Sequence, residues 1–182
     1  MLPIKIPETE YFDEEKNEFV TVKEQELHLE HSLLSISKWE AHYCRPFISD
    51  QKMTAEETLF YIRCMTINRN VDPAVYYCLT NEHIEKIIEY IEAPMTATTI
   101  TDNTPGVKRN KEQLTSELIY YYMVEAGVPE SFEKWHLNRL IMLLRIIGIK
   151  RDPHAKKMSK NAIMKQNKSL NAARRKARHS RG

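Results

Sequence analysis

Pro129-Glu130-Ser131-Phe132-Glu133-Lys134-Trp135-His136-Leu137-Asn138-Arg139-Leu140-Ile141-Met142-Leu143-Leu144-Arg145-Ile146-Ile147-Gly148 is the stretch on which the fold turns. Pro129 occupies a first helical position, where no N–H is needed, and Glu130 and Glu133 suit the positive end of a helix dipole. Gly148 supplies a stop. Between them, Trp135, Leu137, Leu140, Ile141, Leu143, Leu144, Ile146 and Ile147 put apolar groups on nearly every side. The pattern predicts one helix over 129–148, about 20 residues and about 30 Å long, buried at the centre of the protein. Trp135, Leu140 and Leu144, together with Trp39, are the expected structural core. Arg139 and Arg145 make a membrane span a poor reading, and the chain has no apolar run of the roughly 18 residues a span requires.

Upstream, capping signals mark further helices. Thr54-Ala55-Glu56-Glu57 is a capping box opening a helix to about Thr66. Asp72-Pro73 opens a short helix to about Leu79, and Thr80 or Asn81 caps another, with Ile84, Ile87, Ile88 and Ile91 on one face. Thr115 caps a helix stopped by Gly127. A further helix is expected from about Ser37 to Cys44, ending before Pro46. Residues 93–112, with Pro94, a Thr-rich run and Asp102-Asn103-Thr104-Pro105-Gly106, read as one long loop.

Before residue 37 the period changes. Phe19-Val20-Thr21-Val22 is β-branched, and Leu27, Leu29 and Leu33 alternate with polar residues. This predicts an antiparallel hairpin of strands at about 18–23 and 26–34. Residues 1–17, acidic and broken by Pro3 and Pro7, read as an irregular lead-in. The predicted fold class is therefore mainly α (α+β): a helical body over 18–149 with an N-terminal β-hairpin, then a basic tail helix over 150–182.

Charge separates the last two parts. Residues 1–149 hold 15 Lys and Arg against 24 Asp and Glu, a net −9; residues 150–182 hold 12 against 1, a net +11. The 182 residues together hide this behind a net +2. Ser159 caps a helix of about 160–178 with a thin apolar side of Ile163, Leu170, Ala173 and Ala177. Such a helix buries too little to form fully without a partner. Lys156, Lys157, Lys160, Lys165, Lys168, Arg174, Arg175, Lys176 and Arg178 are its candidate interaction residues, toward nucleic acid by counterion release or toward an acidic protein surface, another copy's body included; the plain alternative is a solvated tail that aids solubility. No aromatic lies among these cations to stack on bases.

Catalytic signatures are missing. There is no Gly-rich phosphate loop, nucleophile elbow or H-E-x-x-H, and no catalytic residue, metal ligand or cofactor is assigned. His28 and His31, on a strand, would point to opposite faces and could not chelate one ion. Cys44, Cys64 and Cys78 are odd in number and lack zinc-like spacing, which suits a reducing compartment. Cys64, Cys78 and His83 fall within apolar helical patterns. His136 could act as an acid or base, but no second catalytic group is spaced to help it, and it reads as a satisfied core histidine with Asn138 and Arg139 at a helix–helix or subunit seam. Tyr120-Tyr121-Tyr122 spans about 200° of arc, too wide for one stacking platform. The N-terminal residues carry no export signal, so an intracellular location is expected.

Five segments carry a family resemblance: His31-Ser32-Leu33-Leu34-Ser35-Ile36-Ser37-Lys38-Trp39-Glu40, Pro94-Met95-Thr96-Ala97-Thr98, Glu117-Leu118-Ile119-Tyr120-Tyr121-Tyr122-Met123, Lys134-Trp135-His136-Leu137-Asn138-Arg139-Leu140 and Lys156-Lys157-Met158-Ser159. In this order, over roughly residues 10–178, the chain resembles small assembly proteins of long-tailed (siphovirus-type) bacteriophages, similar to tail assembly chaperones. The resemblance implies a non-enzymatic factor of virion morphogenesis in the host cytoplasm that binds the tape measure protein and tail tube subunits; self-association is a separate expectation, from the basic tail and the acidic body. The alternative is a minor virion or connector protein, or another phage protein, that binds nucleic acid through the basic tail.

Overall fold

The computed structural model describes residues 1–13, 17–100, 113–151, 164 and 168. Its contacts divide the chain into Met1–Ile147 and Gly148–Gly182. The architecture is α+β and mainly α, with an N-terminal two-stranded ribbon.

The ribbon comprises β1 (Leu2–Ile6), β2 (Thr9–Asp13), β3 (Glu18–Val22) and β4 (Gln25–Leu29). Here the sequence expectation is corrected. Within the expected irregular lead-in, Leu2–Ile6 and Thr9–Asp13 are strands, and β3 pairs with β2 rather than with β4, which pairs with β1; residues 14–16 lie outside the described residues. One antiparallel register runs throughout: Leu2 opposite Leu29, Ile6 opposite Gln25, Thr9 opposite Val22, Asp13 opposite Glu18. Pro7 has no N–H for a ladder bond, and the pairing is interrupted there. The burial phase changes across the interruption. Ile4, Ile6, Leu27 and Leu29 are buried, whereas beyond it Val22 is buried and Phe12 and Phe19 are exposed. A flat ribbon would put Phe12 and Phe19 on the same side as Ile4 and Leu27; the strong twist open to a two-stranded ribbon separates them.

β4 ends at Leu29, five residues short of the predicted boundary. The reason is a cap. Ser32 accepts the Ser35 N–H at 3.2 Å while the Ser35 hydroxyl accepts the Ser32 N–H at 2.9 Å. This capping box starts α1 (Leu33–Tyr43) ahead of the expected Ser37. α1 ends on Cys44 in the left-handed region, φ 51°. α2 (Ala55–Met65), a 3-10 helix (Pro73–Cys78), α3 (Asn81–Glu92) and α4 (Ser116–Ala126) fall where their caps place them. Gly127 terminates α4 at φ 67°. Within the expected 93–112 loop, residues 93–100 are non-helical and 101–112 lie outside the described residues.

The 129–148 prediction is also corrected. The segment is a short 3-10 helix (Glu130–Lys134), an extended Trp135 (ψ 156°), and then α5 (Leu137–Arg151). Tertiary bonds cause the break. The Leu137 N–H donates to the His31 carbonyl at 2.8 Å, and Ser32 and His136 form an isolated β-bridge. Only the first turn of α5 is fully buried, through Leu137 and Leu140; Trp135 and Leu144, expected in the core, are half-buried. The central helix is α1 instead. It buries Leu33, Ile36 and Trp39 and packs against α2, α4 and the Glu130–Lys134 turn.

Candidate functional site

Where β4 leaves the ribbon, it meets the start of α5 and the end of α3 in a buried polar seam. His31 is 3% exposed and His136 7%, their ring centroids 5.1 Å apart in an edge-on contact. His31 lies beyond the strand, so the expected opposite-face arrangement with His28 does not apply; His28 is partly exposed beside Glu26 at 3.5 Å. His31 Nδ1 and the Tyr61 hydroxyl share a hydrogen bond of 2.5 Å. His136 Nε2 is 3.0 Å from the Tyr90 carbonyl. A carbonyl only accepts, so Nε2 carries the proton and Nδ1 keeps a lone pair. That Nδ1 is buried with no hydrogen-bond partner. The helix-seam reading of His136 holds for its position, but the side chain is only half satisfied.

Both imidazoles are held neutral. Burial, then the neighbouring His136, drives the His31 pKa down to about 3. Burial lowers that of His136 too, against the opposing pull of the Tyr90 carbonyl and Glu30. Burial raises the Tyr61 and Tyr90 phenols above their usual range, and Glu30 adds to the rise at Tyr90. Glu30 accepts from the Tyr90 hydroxyl at 2.7 Å and lies 2.8 Å from the Met1 ammonium. The hydroxyls beside the histidines are occupied in caps: Ser35 donates to the Ser32 carbonyl at 2.8 Å. With neutral rings and capped hydroxyls, the seam holds β4, α3 and α5 together and can take up a proton only at the expense of burial. Asn138 completes it by donating to the Ile91 and Ala93 carbonyls, both at 2.9 Å, which caps the end of α3.

Glu40 does similar work on the other side of α1. Its carboxylate accepts the Phe47 N–H at 2.8 Å and the Ser116 N–H at 2.7 Å, tying the loop after α1 to the first turn of α4.

The outer surface offers different chemistry. On α4, Glu117, Tyr121, Val124 and Glu125 stand at i, i+4, i+7 and i+8 along one side, with Tyr121 58% and Val124 79% exposed. Tyr120 turns inward and donates to Glu133 at 2.8 Å, so the three tyrosines do not form one platform. On the ribbon, Phe12 and Phe19 sit opposite each other with centroids 5.2 Å apart. On the loop side of α5, Arg139 lies 4.1 Å from the Trp135 ring centroid, and Trp135 stacks on Phe132.

Of the expected tail residues, Lys168 is described: it is helical and exposed, as is Met164. Lys156, Lys157, Lys160, Lys165, Arg174, Arg175, Lys176 and Arg178 lie outside the described residues. Cys64 and Cys78 are half-buried against the core, and burial raises both thiol pKa values. Among the described residues no group of three or more His, Cys, Asp or Glu is placed to hold a metal ion, and no helix is long and apolar enough to cross a membrane.

Sequence reasoning passed over Glu30, Glu40, Tyr61 and Tyr90. The only available signal was an acidic or phenolic residue interrupting an apolar helical face, as Glu40 does beside Trp39 and Tyr61 beside Ile62. No family model, curated protein or solved structure matches the chain.

Proposed function

We propose that this protein is a non-enzymatic phage virion assembly factor, a tail assembly chaperone that binds the tape measure protein and tail tube subunits in the host cytoplasm. The observation that carries the reading is the outer side of α4. Tyr121 and Val124 form an apolar stripe flanked by Glu117 and Glu125, a surface suited to a helical partner that presents apolar and basic residues. The five-segment resemblance supplies the partner class. Reversible coating of a helical rod calls for such seams together with charge steering, and the acidic body and basic tail provide the charges.

Co-expression with the tape measure protein tests this. The two should co-purify, Tyr121→Arg with Val124→Arg should release the partner while leaving the circular dichroism spectrum unchanged, and purified particles should lack the protein. Co-purification unaffected by the double substitution would remove α4 from the reading; no co-purification at all would remove the chaperone.

A second reading rests on the 12 Lys and Arg against 1 acid in residues 150–182: a minor virion protein that binds nucleic acid through its tail. It requires tight duplex DNA binding near physiological salt and presence in purified particles.

A further inference from the structure

We infer that the outer face of the β2–β3 arm is the docking site for the basic tail, residues 156–178, of a second copy of this chain. The arm is built to present this face. Its inner side places Val22 in the core, while the register pairs Phe12 with Phe19 on the outside, 46% and 73% exposed. Contact between the two rings contributes about 0.2–1 kcal/mol to the arm, yet it leaves most of Phe19 in water. Beside the rings on the same face stands Glu10, opposite Thr21, with its carboxylate exposed; Glu18, next to Phe19 in β3, alternates to the Val22 side of the arm.

An apolar pair beside an exposed carboxylate, on a body of net charge −9, calls for a ligand that is apolar on one side and cationic at its margins. The tail has that pattern. Ile163, Leu170, Ala173 and Ala177 recur at i, i+7, i+10 and i+14, within about 80° of helical arc. Residues 156–178 add nine Lys and Arg and no acid. As a free helix this segment has too thin an apolar side to be stable, and docking on Phe12 and Phe19 supplies the missing cover. A tail of one copy on the arm of the next is a heterologous contact, which repeats head to tail into rings or open filaments. The inference does not depend on α4 or on any partner bound there.

Sedimentation of the full chain tests it. Its average mass should rise with concentration and return to that of the monomer between about 50 mM and about 500 mM salt, as exposed ion pairs are screened. Glu10→Lys, at an exposed position in phase with Phe12, should weaken association at least about tenfold while the melting temperature stays unchanged. Arg174→Glu, Arg175→Glu and Arg178→Glu should do the same. Mixing the arm-reversed and tail-reversed proteins should restore a complex that neither forms alone, an outcome that loss of folding cannot mimic. Three results would overturn the inference: a protein that stays monomeric at low salt; association indifferent to the arm reversal, including association bridged by nucleic acid; or an arm–tail contact independent of concentration, which would place the chain's own tail on the arm. Loss of tape measure binding with self-association intact would instead defeat the chaperone proposal alone.

Discussion

His136 sets its ring edge-on to that of His31, 5.1 Å between centroids, so two imidazoles more than a hundred residues apart share one dry seam. Facing them are the Tyr61 hydroxyl, the Tyr90 carbonyl and, one step out, Glu30 with the Met1 ammonium. The arrangement tolerates neutral rings and opposes charged ones. Its first consequence is acid sensitivity. Because the His31 pKa is about 3 when folded and 6.5 when exposed, the unfolded chain binds more protons between those values. The stability from this residue is therefore complete above pH 6.5 and is lost as pH falls toward 3, by up to about 5 kcal/mol. His136 acts with the same sign. Thermal melts should show the midpoint dropping steadily from about pH 6.5 to about pH 4. A flat profile over that range would contradict the buried neutral pair.

Core deletions should rank by the observed centre. Leu33→Ala and Ile36→Ala in α1, and Leu140→Ala in the first turn of α5, should each cost about 2–5 kcal/mol in denaturant unfolding. Leu144→Ala, at a half-buried site, should cost clearly less. An equal or larger loss at Leu144 would restore the 129–148 segment as the hub.

Glu40→Ala should destabilise by about 2–4 kcal/mol, since it strands the N–H groups of Phe47 and Ser116 away from water. Glu40→Gln keeps one acceptor oxygen and should lose roughly half as much. Chemical denaturation of both variants checks the order, and identical losses would show that one carbonyl oxygen restores neither amide bond.

Gly127→Ala isolates backbone strain. A methyl group there meets nothing within 4 Å, so the cost is that of φ 67° alone. It should be about 1 kcal/mol. A much larger loss would mean that the end of α4 is packed by something other than its cap.

A chain ending at Arg151 should fold with a melting temperature close to that of the full protein, because the tail's apolar side is too thin to contribute much to a core. Unfolding of this shortened chain, seen by circular dichroism, would assign the tail to the fold.

Elements whose ends are set by neighbouring residues were readable in the sequence. Thr54, Asp72, Thr80, Thr115 and Gly127 each cap the helix their local pattern suggests. What escaped depends on distant partners. The apolar run after Pro129 looks continuous, but hydrogen bonding to His31 and bridging to Ser32 pull Trp135 out of helical geometry. Alternation at Ile4 and Ile6 was visible, yet Pro3, Pro7 and the acids around them concealed two strands whose mates lie further along the chain. Of the candidate surfaces, the α4 tyrosines and the cationic tail were legible as residue types. The outward turn of Phe12 and Phe19 was not, because it follows from a change of phase at Pro7 that no local pattern encodes.

That change of phase constrains how the protein can evolve. In a ribbon with a two-residue repeat, gaining or losing a single residue within β2 or β3 exchanges inner for outer along everything beyond it. A change in β2 would turn Phe12 toward the core, and one in β3 would bring Phe19 and Val22 to the same side. Lineages descended from this sequence should therefore vary the arm by replacing residues at constant length, and any that lengthen it should do so by two residues at a time or at the turn.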